Sequence, residues 1–413
     1  MSVSILGIQP SFGFGDRLGL GTKGHCTALQ RFGPGISGIF AQQSIREMNR
    51  CRRSPDEVFS DAETALGQIS YDLPHGADAD HLKLTADVDL VFDSGFTFFT
   101  LDPSDHVNDQ ADCYSEIELS NAWKELQGKC HWVDDYLDQK VTLDTGEIIH
   151  FTQTELHRCA VKYGPAMVHS LEIAKYLVTK AEAAGRQIEI ELSIDETAQP
   201  TTPLEHFVFA DQLLKAEMPL VSVAPRFVGH FEKGIDFYGN RSEFLKTLKS
   251  HAAISRQLGP YKLSLHSGSD KLSIYEAFAH ETAGLFHVKT AGTSYLEALR
   301  VVAVTDSIFF REIIEFSRAC FEKDRATYEI SSGLEEVLPE VGFPDDNRVT
   351  EAYLNENAGR QILHVTFGSV LNSGLNGRFQ EILEDQQNLY TEFLVEHFRK
   401  HLQPLTKGMA GLS

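Results

Sequence analysis

The residue types best suited to chemistry sit in short polar runs that directly follow apolar, β-rich stretches. The most pointed is HSGSDK, residues 266–271. A strand opening into Ser267, Ser269, Asp270 and Lys271 presents backbone N–H groups, two hydroxyls and a cation, which suits a carboxylate or a phosphate. The same run would also serve as an ordinary turn, with Ser269 or Asp270 capping the next helix. A second run, DPSDH, ends in Asp105 and His106; a third ends in Asp195 and Glu196; a fourth, RFVGH, carries Arg226 and His230. The imidazoles of His106, His230 and His266 could together hold a divalent cation with a position left open for substrate oxygens. Zinc, manganese, nickel or cobalt would all accept such donors. No HxH or HExxH spacing reinforces the set, and each His alone would equally serve as a hydrogen-bonded loop residue. Asp105 and Glu196 are the candidate acid–base pair, two carboxyls able to take a proton from one face of a carbon and return it to the other. Asp105 could instead cap a turn, and Asp195 could orient a metal-binding imidazole. The early FGFGDRLGLGT segment has glycines too irregular for a dinucleotide fingerprint or a phosphate loop, so Arg17 reads as an anion clamp in a flexible wall.

Something must carry these residues to one place. Eight apolar runs bounded by turn signals read as strands: 13–19, 37–43, 81–88, 96–104, 187–196, 219–227, 261–269 and 285–292. Helical spacing fills most of the gaps, most clearly over 156–184 and 241–258. Strand–helix alternation implies a parallel sheet, and eight strands close one into an α/β (β/α)8, or TIM, barrel. The runner-up is a doubly wound open sheet, against which the lack of GxGxxG after the first run counts. A barrel places its active site at the carboxyl ends of the strands, where these polar runs fall. Residues 1–296 are expected to form the barrel, and 297–413 a mainly helical C-terminal extension packed on it. The acidic segment of about 105–154 reads as an insertion after the fourth strand, placed to cover the barrel mouth.

Composition narrows the partners. Lys plus Arg is 37 and Asp plus Glu 59, a net charge of −22 that repels phosphate backbones and anionic lipid, so neither nucleic acid nor membrane is expected. A small anion remains admissible, because one cationic pocket reverses the local sign. Six scattered cysteines without a CxxC pair fit thiols in a reducing compartment. With no basic stretch leading into an apolar segment at the start, and no apolar run near the length of a membrane span, a cytoplasmic protein is expected.

In FGFGDRLGLGT (12–22), TFFTLDPSDHV (97–107), SIDET (193–197) and LSLHSGSDK (263–271), the sequence resembles the tagaturonate epimerase family. The resemblance implies interconversion of D-tagaturonate and D-fructuronate with a divalent metal cation. It implies a proton acceptor beside a metal-binding His, which map onto Asp105 and His106, and a carboxylate proton donor, which maps onto Glu196. Two further metal-binding His map onto His230 and His266. The implied reaction is abstraction and return of the carbon-3 proton through a metal-stabilised enediolate. Arg17 and Lys271, with Lys262 or Lys289, would face the substrate carboxylate. The alternatives are a metal-dependent aldolase or other isomerase acting on a sugar acid or sugar phosphate, and a non-catalytic sugar-acid binder.

Overall fold

A computed structural model describes residues 3–411. Eight parallel strands form a closed barrel: β1 (Ser11–Phe14), β2 (Ser37–Ser44), β3 (His75–Leu82), β4 (Phe98–Leu101), β5 (Glu189–Ile194), β6 (Leu220–Pro225), β7 (Lys262–Leu265) and β8 (Phe286–Thr290). Closure is made by β1, which pairs with β2 through Ser11↔Ser37 and with β8 through Ser11↔His287. Helices between the strands start where the sequence caps them. Ser54 and Thr202 each form a capping box, with Glu57 and Glu205, ahead of a proline in the first turn. The long helix Gln153–Ala183 is capped by Thr152.

The third strand is displaced from its expected place. The sequence predicts a strand over 81–88, yet the chain forms β3 over His75–Leu82 and a helix over Thr85–Phe92. The reason is the barrel interior. One face of HGADADHL packs Ala77 and Ala79 into the apolar layer outside the barrel, while Asp78 and Asp80 meet Lys289 within it. A strand whose inward face is ionic carries no apolar signature to read. Most barrels fill their interior with branched aliphatic layers. This one stacks Lys262, Glu189, Ser11 and His287 toward the amino ends of the strands, then Lys289, Asp78, Thr100 and Glu191 above them.

The segment after β4 packs sideways. Its hairpin (Lys140–Thr142 with Ile148–His150) is tied to the outer helix Arg241–Leu258 by Arg256–Asp144 at 2.9 Å and a Ser250–Glu147 hydrogen bond. Tyr136 and Phe151 complete an apolar cluster with Phe207. The expected cover over the mouth is therefore absent from the hairpin, and Asp109 is the residue of this segment that lines the cleft described below. The expected division at 296/297 falls inside the helix Thr293–Thr305, which follows β8. From there helices continue to the last, Gln387–Met409, whose Phe398 lies 4.9 Å from Phe14 and 5.9 Å from Phe12 of β1. One apolar cluster thus runs from the barrel wall into the C-terminal helices. Among the described residues no helix is long and apolar enough to cross a membrane.

Candidate active site

Four strand ends build the site. His81 lies within β3 near its end, with left-handed backbone (φ 55°), a conformation uncommon outside glycine that marks an over-determined position. Its Nδ1 donates to Asp102 Oδ2 at 3.0 Å, just past β4, and its Nε2 lies 3.8 Å from Asp80 Oδ1. His266 follows β7 directly. Its Nε2 donates to Glu191 Oε1 at 2.5 Å, while its Nδ1, 3.3 Å from Asp195 Oδ1, has no hydrogen-bond partner. Each imidazole is therefore held by a carboxylate through one nitrogen, with the other turned to the same spot, the arrangement in which a carboxylate orients a metal-binding His. Asp80, His81 and His266 each bring one donor atom, all within 4.8 Å of one another.

Beneath them lies the Lys289 ammonium, 2.8 Å from Asp78 Oδ2, 2.7 Å from Asp80 Oδ1, 2.7 Å from Glu191 Oε1 and 2.6 Å from Thr100 Oγ1. These carboxylates hold Lys289 well above the ordinary lysine range against the opposing effect of burial. Burial pushes Asp78 up to about 7. Burial opposes charge on His81 and His266, but Asp80 with Asp102 and Asp195 with Glu191 outweigh it, raising them to about 10 and about 9. Those imidazoles keep protons because carboxylates crowd them. A divalent cation would answer the same excess of negative charge, and the nitrogen-plus-oxygen donor set suits the first-row metals expected from the sequence.

Above the cluster a cleft of about 430 Å³ opens at the carboxyl ends of the strands. Its walls carry Glu196, whose side chain is 36% exposed and 3.5 Å from Arg46, together with Ser267, Ser269 and Lys233.

The residues named from sequence divide sharply here. His266, Glu196, Ser267, Ser269 and Arg17 line the cleft. Arg17, however, is spent: it bonds Glu47 Oε1 at 2.7 Å and the His364 carbonyl, and stacks on Phe367 at 3.5 Å. Asp105 lies outside the cleft, its side chain 68% exposed and paired with Lys83 at 2.7 Å. His106 packs against His169 with tilted rings 3.9 Å apart in a separate cavity, and His230 stacks on Tyr238 at 4.5 Å. The three imidazoles expected to converge are thus not brought together, because only His266 sits directly at a strand end. Asp270 is buried against Arg360 at 2.9 Å, and its N–H donates to His401 Nε2. Lys271 is buried too, giving its three donors to the carbonyls of Glu232, Ile235 and Ser269. Sequence spacing does not bring Asp80, His81, Asp78, Glu191 and Lys289 together. The available signal was a second Asp-His pair, at 80–81, matching the one at 105–106.

A closed (β/α)8 barrel whose strand ends gather carboxylates and imidazoles under a polar cleft is an enzyme of the barrel class. A profile of the tagaturonate epimerase family matches residues 3–405. The tagaturonate/fructuronate epimerase of Thermotoga maritima is 40% identical over 400 residues, covering 97% of this chain and 81% of that protein. The glycerol-complexed crystal structure of fructuronate-tagaturonate epimerase from Cohnella laeviribosi superposes with a TM-score of 0.93 at 35% identity, over 98% of this chain and 83% of that one. The native structure of the same protein gives the same values. This chain belongs to the tagaturonate epimerase family, and is an isomerase.

Proposed function

We propose that this chain interconverts D-tagaturonate and D-fructuronate with a divalent cation held by Asp80, His81 and His266. The observation that carries this reading is the convergence of those three donors within 4.8 Å on the floor of the cleft. When bound, such an ion supplies Lewis-acid polarisation of the substrate's ketone oxygen. Asp102 and Glu191 orient the two imidazoles, and Asp195 faces the free nitrogen of His266. The six unpaired cysteines fit a reducing cytoplasm.

The substrate's connectivity decides where the proton moves. The two acids differ at carbon 3 counted from the carboxylate, and the ketone is at carbon 5. Carbon 3 is therefore β to the ketone, so its own C–H gains no acidity from it; the bond the ketone weakens is that between carbons 3 and 4. This replaces the expected shuttle on the carbon-3 C–H with one on the carbon-3 hydroxyl. Glu196, the least encumbered carboxylate on the cleft wall, takes the hydroxyl proton. Carbon 3 becomes an aldehyde, and the electron pair of the broken bond passes into the carbon 4–carbon 5 unit. A half-turn of the aldehyde before the bond re-forms inverts carbon 3, and the proton returns to its oxygen.

The test is direct. Purified protein supplied with zinc, manganese, nickel or cobalt should convert D-tagaturonate to D-fructuronate, and His81→Ala and His266→Ala should lose bound metal and turnover together. Full metal content and turnover in both variants would overturn the site.

A further inference from the structure

Besides the imidazoles, four Arg and Lys side chains line the cleft: Arg17, Arg46, Arg226 and Lys233. Three have carboxylate partners. Arg17 meets Glu47 at 2.7 Å, Arg46 meets Glu196 at 3.5 Å and Arg226 meets Glu329 at 3.2 Å. Among the described residues Lys233 has no carboxylate within 4.0 Å. Its ammonium donates once, to Ser267 Oγ at 3.0 Å, which leaves two of its three donors for a ligand. We propose that Lys233, with the Ser267 hydroxyl it holds, binds the carboxylate of the sugar acid and sets the preference for acids over neutral ketoses. The proposal rests on the epimerase reading above.

The surroundings support it. Lys233 is held in place from below: Lys271 bonds the carbonyls of Glu232 and Ile235 on either side of it, and Gln361 Nε2 donates to its own carbonyl at 3.3 Å. Gly234 next to it takes φ 74°, a left-handed turn that costs glycine little. The buried Lys271, expected from sequence to bind the anion, instead fixes the loop that presents Lys233. Ser267 immediately follows His266, so an anion held here abuts the donor cluster, as a short chain with carboxylate and ketone near its two ends requires. Burial and the nearby Arg46 push Lys233 below the ordinary lysine range, against the opposing pull of Glu47, Asp195 and Glu196. In a chain of net charge −22, an unpaired cation facing a cleft selects for anions.

The experiment pairs kinetics with binding of a non-reacting probe. Lys233→Met should raise KM for D-tagaturonate about ten- to a hundredfold, the weight of one charge-assisted contact, with kcat changed far less. Wild-type protein should bind D-gluconate more tightly than D-glucitol by calorimetry. Lys233→Met should erase that difference, and Lys233→Arg should retain most of it. An unchanged KM and an unchanged gluconate preference in Lys233→Met would overturn the assignment. Equal loss of gluconate and glucitol binding would overturn it too, as a general defect of the cleft. If wild-type protein fails to epimerise tagaturonate while gluconate binding still depends on Lys233, the epimerase reading falls and the anion site stands.

Discussion

At the scale of single residues, two Asp-His pairs compete for one role. Sequence reading favours Asp105-His106, which directly follows the run 96–104, whereas His81 opens the run 81–88. What separates them is the partner on the far side of each ring. His81 has Asp102 behind it and His266 in front, with ring centroids 5.1 Å apart, whereas His106 meets His169 at the edge of another cavity. Such a difference is made by strands far apart in the chain and leaves no local mark. The His81→Ala variant is thus expected to lose metal while His106→Ala retains it, read by metal analysis after dialysis. Glu196 was legible because it stands just past the end of β5, an apolar strand with clear bounds. Glu196→Gln should lower kcat about 10²–10⁴-fold with metal content preserved, as for loss of a general base. The route is separately testable. Epimerisation in deuterated water should leave carbon 3 without deuterium, since its hydrogen stays on carbon throughout; label at carbon 3 would restore the C–H shuttle.

At the scale of elements, six of the eight strands overlap well with apolar runs, because their outward faces bury Val, Ile, Leu and Phe under helices; β1 (Ser11–Phe14) shares only residues 13 and 14 with the expected 13–19, whose remainder is loop. The third escapes because its inward face is made of acids and its outward face of alanine. The element that accounts for those acids is β8, through Lys289. One buried ammonium meeting Asp78 and Asp80 of β3 and Glu191 of β5 holds three carboxylates from two strands at the barrel axis. Removing it leaves buried charges uncompensated, a change that costs about 3–5 kcal/mol when one partner of a buried pair is deleted. Lys289→Met should lower unfolding stability by that order, read from urea denaturation. A stability loss below about 1 kcal/mol would mean the carboxylates share a proton among themselves instead.

At the scale of the whole molecule, the long C-terminal helix closes the barrel's outer layer with imidazoles as well as apolar side chains. His401 is buried against Phe12, with Nδ1 donating to the His397 carbonyl and Nε2 accepting from the Asp270 N–H. Burial holds it down to about 3, and holds His25 and His251 down to about 4. In the unfolded chain each returns to about 6.5. Between those values the unfolded state binds protons that the folded state refuses, so stability is full above pH 6.5 and is lost as pH falls toward 4. Each such group contributes a slope of about 1.4 kcal/mol per pH unit across its window. Thermal unfolding followed from pH 7 to pH 4 should therefore show a steep fall well before the carboxylates titrate. His401→Gln keeps an acceptor for the Asp270 N–H and cannot take up a proton in either state. It should flatten that limb by about one proton, whatever it does to stability at pH 7. An acid limb of unchanged slope in the variant would mean that His401 is charged in the folded protein, paired with Asp270 across the 3.6 Å that separates them.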